Sequence, residues 1–354
     1  MKVIAYYLPQ FHEIPENNEW WGKGFTEWTN VKKAKPLFKD HLQPRIPLNN
    51  NYYDLSDTKV MEKQAEMAKS YGVDAFCFYH YWFDGKLLLE KPLLNLLDNK
   101  NIKIDFCLSW ANEPWARTWD GKDKDVLVAQ NYGSSTDWEK HFNYLVKYFK
   151  DERYIKINGS PMLLIYKSKN IPNFDDMLLY WNDLAIKHGF EKGLHIVETM
   201  AGQQAQPISS FTKAVVEFEP SLSLGLNSDR IYWLKNKIKM LINKGLYRMD
   251  YMSLTKKSTQ RNCDYGKQCY LGCFPGWDNT PRKQNRGVVF DNANPDNFYE
   301  YLVTQMKKSS IDSFLFINAW NEWAEGAYLE PDEYNGYGFL EAVKNAKNTV
   351  FGDK

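Results

Sequence analysis

"VIAYYLPQFH", residues 3–12, begins as a buried strand and continues into a loop that opens with proline. Its first six residues form an apolar run typical of strands that are buried on both faces of a parallel sheet. An open, doubly wound sheet that binds a dinucleotide would need a G-x-G-x-x-G turn directly after this strand. The segment "YYLPQFH" contains no glycine, which disfavours that fold.

Seven more apolar runs follow, and longer helical patterns lie between them. The runs are 74–82, 104–110, 161–166, 193–199, 214–218, 270–277 and 313–320, and the helical patterns are 59–71, 90–99, 137–150, 175–188, 295–308 and 338–350. Asn294 is the expected N-cap of the helix that begins at Pro295. Eight strands alternating with helices predict a single (β/α)8 TIM barrel over residues 1–354, with long loops at the carboxyl ends of the strands.

The composition excludes several classes of partner. The chain has 45 basic and 44 acidic residues, and this balance argues against a nucleic-acid-binding protein. No apolar run approaches the 18 or more residues of a transmembrane helix. The first apolar run is too short for a signal peptide, so we expect a cytoplasmic protein.

The five cysteines predict free thiols instead of disulfides or a metal centre. Cys77 and Cys107 lie inside apolar, strand-like runs, where reduced thiols are commonly buried. Cys263, Cys269 and Cys273 have no nearby histidine that would complete a familiar zinc pattern. A calcium loop of the D-x-D-x-D-G type is also missing. We therefore expect no metal and no cofactor.

Residues 221–262 form the irregular part of the sequence, for which we predict a helical insertion. The segment carries nine Lys or Arg residues and two Asp residues, and its apolar residues between Ile231 and Ile242 have the spacing of an amphipathic helix. A solvated helix packed on the barrel is the simpler interpretation. The alternative is a docking face for an anionic lipid headgroup or for a protein partner.

Aromatic and acidic residues are concentrated where the predicted strands end. The chain has 13 Trp and 23 Tyr, and most loops that follow a strand combine Trp with a carboxylate and an amide or Arg. The loops at the other end, such as "INGS", are short and plain. Since aromatic faces pack on the C–H faces of sugars, this asymmetry predicts a carbohydrate-binding cleft at the carboxyl end of the barrel.

Two glutamates are the first candidates for catalysis in such a cleft. Glu322 and Glu325 lie in "WNEWAEG", residues 320–326, between tryptophans that would limit their solvation and raise a carboxyl pKa. Glu113 in "WANEPW" competes for the role of acid, unless it forms a salt bridge with a residue such as Arg117. His12 and His80 also follow strands, where a catalytic and a scaffolding role are both open.

Five segments together resemble the WbsX-type family of bacterial polysaccharide biosynthesis, which is associated with O-antigen and capsule genes. They are the stretch from "AYYLPQFHEIPENNEWW" to "HLQPRIPL", "FCFYHYWFDGK", "LSWANEPWARTWDG", "GWDNTPR" and "FINAWNEWAEGAYLEPD". That family is similar to glycoside hydrolase family 99, the endo-α-mannosidases and endo-α-mannanases, which are (β/α)8 barrels. The resemblance covers nearly the whole chain.

The resemblance to family 99 implies a role for each glutamate. The first of the pair, Glu322, would act as base toward the sugar 2-hydroxyl, and Glu325 would act as acid/base on the leaving oxygen. The reaction would retain the anomeric configuration through a 1,2-anhydro sugar. Residues expected to bind the substrate are Tyr7, Gln10, His12, Trp28, His80, Tyr81, Trp82, Trp110, Asn112, Glu113, Trp115, Arg117, Trp119, Asp120, Trp277, Asp278, Arg282, Trp320, Asn321 and Trp323.

Three functions remain open at this stage. The first is a retaining, endo-acting hydrolase of a mannose- or rhamnose-like bacterial polysaccharide or its precursor. The second is a glycosyltransferase, although the D-x-D formed by Asp123 and Asp125 reads as a solvated loop. The third is a non-catalytic glycan-binding barrel. In each case the partner is an oligo- or polysaccharide, with peripheral contact to a lipid-linked glycan or to assembly machinery as a further expectation.

Overall fold

The computed structural model describes residues 1–117, 122–226 and 245–352, and its centre is a closed barrel of eight parallel strands. The strands are β1 (Lys2–Tyr7), β2 (Ala75–Phe83), β3 (Asp105–Trp110), β4 (Ser160–Ile165), β5 (His195–Met200), β6 (Ala214–Glu217), β7 (Gln268–Cys273) and β8 (Phe314–Ile317). Each strand pairs with the next, and β1 pairs with both β2 and β8. The (β/α)8 barrel predicted from the eight apolar runs is therefore confirmed.

The strands are apolar without alternation because both of their faces are buried. All nine residues of β2 and all six residues of β4 are buried, one face toward the barrel interior and the other toward the surrounding helices. Because all eight strands run in the same direction, their carboxyl ends meet at one mouth of the barrel.

Helices surround the barrel and connect most of its strands. Their bounds are α1 (Pro15–Trp21), α2 (Glu27–Lys33), α3 (Thr58–Ser70), α4 (Lys91–Asp98), α5 (Ser135–Phe149), α6 (Phe174–Lys187), α7 (Ser221–Gly225), α8 (Tyr251–Gln260), α9 (Thr280–Lys283), α10 (Pro295–Lys308) and α11 (Gly338–Phe351). The six helices predicted from the sequence are present, with ends within two residues of the predicted ones. Asn294 caps α10 as expected, since its side chain accepts a hydrogen bond from the Asn297 backbone N–H at 2.9 Å.

Short strands and 3₁₀ turns make up the loops at the two ends of the barrel. The short strands are Lys86–Leu88, Trp115–Arg117, Lys122–Val128, Lys156–Ile157, Tyr247–Asp250, Val288–Asp291, Asn321–Glu322 and Ala327–Tyr328, and the 3₁₀ turns are Leu48–Asn50, Ser168–Asn170, Gln284–Arg286 and Trp323–Glu325. Tyr247–Asp250 pairs in parallel with Val288–Asp291, so the described part of the predicted helical insertion also contains a strand. The amphipathic pattern from Ile231 to Ile242 lies outside the described residues.

The five cysteines are all free thiols, as the sequence predicts. Cys77, Cys107 and Cys273 are buried, whereas Cys263 and Cys269 are partly exposed. Within the three described ranges, none of the helices is long and apolar enough to cross a lipid bilayer.

Candidate active site

A cavity of about 840 Å³ opens at the carboxyl ends of the barrel strands. Aromatic rings, among them those of Trp21, Tyr79, Tyr81, Trp115 and Trp277, form much of its wall. The charged residues that line it, within the described part of the chain, are Glu113, Arg282, Glu322 and Glu325. The aromatic and acidic loops that follow the strands in the sequence thus form an aromatic cavity in which carboxylates converge.

The two glutamates of "WNEWAEG" reach this cavity through a tight turn after β8. Glu322 ends the short strand Asn321–Glu322, and the 3₁₀ turn Trp323–Glu325 carries the second carboxylate back toward the first. The turn ends at Gly326 in a left-handed conformation with φ of 61°. A Cβ atom at Gly326 would lie 2.9 Å from the Asp278 Cβ, so glycine is required for both its conformation and its size.

Arg282 joins both glutamates in one ion-pair cluster. Its guanidinium donates from Nη2 to Glu322 Oε1 at 2.7 Å, pairs through Nη1 with Glu325 Oε1 at 2.8 Å and donates from Nε to Glu27 Oε1 at 3.0 Å. A planar guanidinium suits this arrangement because its N–H groups point in fixed, divergent directions. The cluster brings together the carboxylates of α2 and of the β8 loop with a cation from α9.

Glu322 has a strongly altered acidity. Burial raises the pKa of its carboxyl to about 8, the charges of Glu325 and Glu27 act in the same direction, and Arg282 opposes the shift. By contrast, Glu325 has 22% of its side chain exposed to the cavity. Two carboxylates at one site therefore have different environments, which is the arrangement that separates acid and base roles in glycoside cleavage.

The match of residues 3–343 to a family model, the one described as Glycosyltransferase WbsX, covers nearly the entire barrel. The chain belongs to the WbsX family. A curated relative from Xanthomonas campestris pv. campestris, the uncharacterized protein WxcX, is 38% identical over 352 residues, which are 97% of this chain and 49% of the relative. The WbsX-family chain thus spans about half the length of the curated relatives it matches.

Solved structures with the same fold include glycoside hydrolases. The GH99 endo-α-mannosidase from Bacteroides thetaiotaomicron has a TM-score of 0.59 and 15% identity, over 98% of this chain and 97% of that one. A glycoside hydrolase-like protein has a TM-score of 0.61 and 12% identity, over 98% and 93% of the two chains. At these identities the similarity establishes the barrel fold, in agreement with the family 99 resemblance of the sequence.

Glu113, the competing acid candidate, lines the same cavity of the WbsX-family barrel after β3. Partial burial raises the pKa of its carboxyl, and Lys167 opposes that shift from a distance of 4.0 Å. The Arg117 side chain, suggested by the sequence as its ion-pair partner, lies outside the described part of the structure. Glu113 is thus a third carboxyl at the wall of the cavity.

Glu330, which the sequence did not single out, explains why tryptophans flank the two catalytic candidates. Its buried carboxylate accepts hydrogen bonds from Gln64 Nε2 at 2.7 Å, Trp320 Nε1 at 3.1 Å, Tyr53 Oη at 2.8 Å and Trp323 Nε1 at 2.7 Å. Both indole rings are fully buried. Trp320 and Trp323 are therefore anchors of the glutamate loop, and neither lines the cavity as a sugar platform.

Asp278 holds the same loop by its backbone. Its N–H donates to the Glu325 carbonyl at 2.6 Å, and its buried carboxylate accepts from His41 Nε2 at 2.9 Å, Gln43 Nε2 at 2.7 Å and Thr280 Oγ1 at 2.6 Å. Burial would raise the pKa of Asp278, but these hydrogen bonds and the charge of Arg45 outweigh it and lower the pKa. Asp278 is thus a positioning residue for Glu325.

Two asparagines join neighbouring loops, each through two hydrogen bonds to the main chain of one residue. Asn321 accepts from the Leu8 N–H at 2.7 Å and donates to the Leu8 carbonyl at 3.0 Å. Asn112 does the same with Lys167, at 2.7 Å and 2.9 Å. A side-chain amide satisfies one main-chain donor and one acceptor in this way, so each asparagine fixes the separation of two strand ends.

The two histidines that the sequence suggested, His12 and His80, are buried away from the cavity. His80 Nε2 lies 2.8 Å from His141 Nε2 in a buried pair, and burial lowers the pKa of His80 to about 3. The Trp82 ring stacks on His141 at a centroid distance of 4.6 Å. His12 is also buried, and burial lowers its pKa. None of these rings lines the cavity.

The predicted site residues fall into three groups in this structure. Those that line the cavity are Gln10, Tyr81, Glu113, Trp115, Trp277, Arg282, Glu322 and Glu325. Those that are buried away from its wall are Tyr7, His12, Trp28, His80, Trp82, Trp110, Asn112, Asp278, Trp320, Asn321 and Trp323. Trp119, Asp120 and the Arg117 side chain lie outside the described residues.

Several cavity residues were missed in the sequence. Tyr79, Tyr166 and Phe218 line the wall, and Glu27 completes the cluster around Arg282. Tyr79 and Tyr81 lie two residues apart on β2, so the period of a strand places both on the cavity side once Tyr81 is assigned there. The sequence contains no such pattern for Glu27, because its contact with Arg282 joins residues 255 positions apart.

Proposed function

We propose that this WbsX-family chain is a retaining glycoside hydrolase, endo-acting on a mannose- or rhamnose-like bacterial polysaccharide or its precursor. The observation that carries the proposal is the convergence of Glu322 and Glu325 on Arg282 at the wall of an aromatic cavity. The sugar class rests on the family resemblance. The size and openness of the cavity suit a chain of several sugars.

In the proposed reaction the two glutamates handle separate protons. Glu322 takes the proton of the sugar 2-hydroxyl while that oxygen attacks the anomeric carbon, and Glu325 protonates the departing glycosidic oxygen. The resulting 1,2-anhydro sugar is opened by water, which gives its proton to Glu325 while Glu322 returns a proton to the 2-oxygen. Two inversions at the anomeric carbon give net retention. Arg282 holds both carboxylates in position throughout.

A glycosyltransferase is the second candidate because the family description carries that name. A nucleotide-sugar donor would bring a pyrophosphate into the cavity. Three of the four charged residues that line its described wall are glutamates, and the fourth, Arg282, is engaged by Glu27, Glu322 and Glu325. The described wall therefore offers a pyrophosphate one cation that three carboxyl groups already engage, which favours hydrolysis over transfer from such a donor.

Digestion of a panel of α-mannan- and rhamnan-type polysaccharides, followed by mass spectrometry and NMR, tests the proposal. We expect oligosaccharide products whose new reducing ends initially keep the anomeric configuration of the substrate. Products with inverted configuration would contradict the proposed mechanism. Elongation of an acceptor by a nucleotide sugar, without cleavage, would favour the transferase, and binding with neither reaction would favour a glycan-binding barrel.

The pH dependence of kcat/KM tests the role of Glu322. A general base works only in its ionised form, and the pKa of Glu322 is raised to about 8. With an aryl glycoside whose acidic phenol departs without protonation, we therefore expect kcat/KM to rise as the pH rises through about 8, because deprotonated Glu322 becomes more abundant. If Glu322 were the acid, this rise would be missing with the same substrate.

Two tryptophans are expected to bind the sugar. Replacing Trp115 or Trp277 with Ala should weaken glycan binding by about 1–3 kcal/mol, the loss that follows removal of a well-packed aromatic contact. Calorimetric titration in a Glu325→Gln background would measure affinity without turnover. Trp82→Phe is the control, since that ring stacks on His141 and does not line the cavity. Equal losses in all three variants would show a general effect on folding.

A further inference from the structure

Two cysteines and a glutamate meet outside the cavity, in a part of the barrel that the proposed reaction does not use. Glu217 is the last residue of β6, Cys269 is the second residue of β7, and Cys263 lies in the loop before β7. One ligand atom of each side chain lies within 4.8 Å of the other two. Both cysteines pack against the main core and against a small second hydrophobic cluster that includes Tyr265.

The separations are those of ligands around one cation. Cys263 Sγ lies 3.7 Å from Glu217 Oε1. In a tetrahedral site with a metal–sulphur bond of about 2.3 Å and a metal–oxygen bond of about 2.0 Å, the two ligand atoms are about 3.5 Å apart. Cys269 Sγ lies within 4.8 Å of Cys263 Sγ and of a carboxylate oxygen of Glu217. Because both cysteines are partly exposed, a water molecule can reach a fourth position.

The two carboxylate oxygens of Glu217 have different surroundings. The buried carboxylates of Glu217 and Glu219 share one guanidinium, that of Arg261, at 3.0 Å and 2.8 Å. Arg261 contacts Glu217 Oε2, whereas Oε1 faces Cys263 and accepts from the Tyr265 hydroxyl at 2.8 Å.

Lys308 is an exposed cation near the two thiols. The ammonium of Lys308 donates to the main-chain carbonyl of Arg261, and its side chain is exposed to solvent. This contact holds the ammonium at the rim, and Glu217 Oε1 is the carboxylate oxygen that faces the thiol of Cys263.

We infer that Glu217, Cys263 and Cys269 form a binding site for a thiophilic divalent cation such as Zn²⁺ or Cd²⁺, with water as the fourth ligand. Each cysteine would bind as a thiolate, so binding releases two thiol protons. Two sulphur ligands select against Mg²⁺ and Ca²⁺, which prefer oxygen. The bound ion would tie the loop before β7 to β6 next to Phe218, which lines the cavity.

Titration of the fully reduced, metal-free chain with Cd²⁺ tests the inference. We expect one Cd²⁺ per chain, with ultraviolet absorption of cadmium–thiolate bonds, competition by Zn²⁺ and none by Mg²⁺. Cys263→Ser, Cys269→Ser and Glu217→Gln should each weaken binding by about tenfold or more. Zn²⁺ should also raise the Tm of the unaltered chain but not that of the Cys263→Ser/Cys269→Ser variant.

Cys273→Ser is the matched control, because Cys273 ends the same strand as Cys269 and lies outside the cluster. It should keep one Cd²⁺ per chain. The inference is overturned if the reduced chain binds no stoichiometric Cd²⁺, or if binding persists in the Cys263→Ser/Cys269→Ser variant. Far-ultraviolet circular dichroism of each variant without metal must match that of the unaltered chain, so that lost binding reports a lost ligand.

Discussion

Replacing Glu322 or Glu325 with Gln should lower the rate of glycan cleavage by about 10²–10⁴-fold, the range for removal of a general acid or base. Gln has nearly the shape of Glu but cannot exchange a proton. At position 322 it also resembles the protonated carboxyl, the form that burial favours by raising the pKa of Glu322. Thermal stability and glycan affinity should therefore stay close to those of the unaltered chain, while initial rates fall.

Substrates with different leaving groups separate the two roles. An aryl glycoside with an acidic phenol needs little protonation on departure, so the loss in Glu325→Gln should become smaller with this substrate. Glu322→Gln should remain equally impaired, because attack by the 2-oxygen still needs a base.

Glu113→Gln is the comparison variant for the pair. Glu113 lines the same cavity but lies outside the Arg282 cluster, so its loss should cost less than either substitution at 322 or 325. Full activity in Glu325→Gln together with a large loss in Glu113→Gln would assign the acid to β3. The glutamates of two different strands would then work together.

Replacing Glu330 with Ala should reduce the free energy of unfolding by about 3–5 kcal/mol. The substitution leaves four buried donors, from Tyr53, Gln64, Trp320 and Trp323, without their acceptor. Urea denaturation followed by tryptophan fluorescence would measure the change. Glu330→Gln keeps one accepting oxygen and should lose a smaller amount.

Glu300→Ala serves as the control for stability. Glu300 is an exposed residue of α10, where Ala is a good helix former, so the change should stay within about 0.5 kcal/mol. A loss below about 1 kcal/mol in Glu330→Ala would show that water replaces the missing acceptor, and that the tryptophans do not depend on this carboxylate.

The fold was predictable because each barrel strand has a recognisable pattern within its own short segment of sequence. An uninterrupted apolar run such as "FCFYHYW" follows from burial on both faces, and glycine or an N-cap such as Asn294 marks the helix ends. The glutamate pair was predictable for a related reason, since both residues lie in one turn after one strand. At these positions, residues that are neighbours in the sequence are also neighbours in the structure.

The function of the neighbouring side chains was not predictable in the same way. The sequence predicts that the tryptophans beside Glu322 limit its solvation, whereas in the structure their indole N–H groups bind Glu330. Residues after a strand can point into the cavity or into the packing behind it, and no local pattern distinguishes Trp277 from Trp82. The direction of each side chain depends on contacts between distant segments, such as the contact of Arg282 with Glu27.

The hydrogen bonds between Asn321 and Leu8 join residues 313 positions apart. On the ribosome, β1 emerges long before its partner β8, and its edge stays unpaired until the last barrel strand has been synthesised. Such an edge invites association with other chains, so we expect the nascent protein to need protection by chaperones. The glutamate pair takes its position in the same event that closes the barrel, and an incomplete chain has no assembled site.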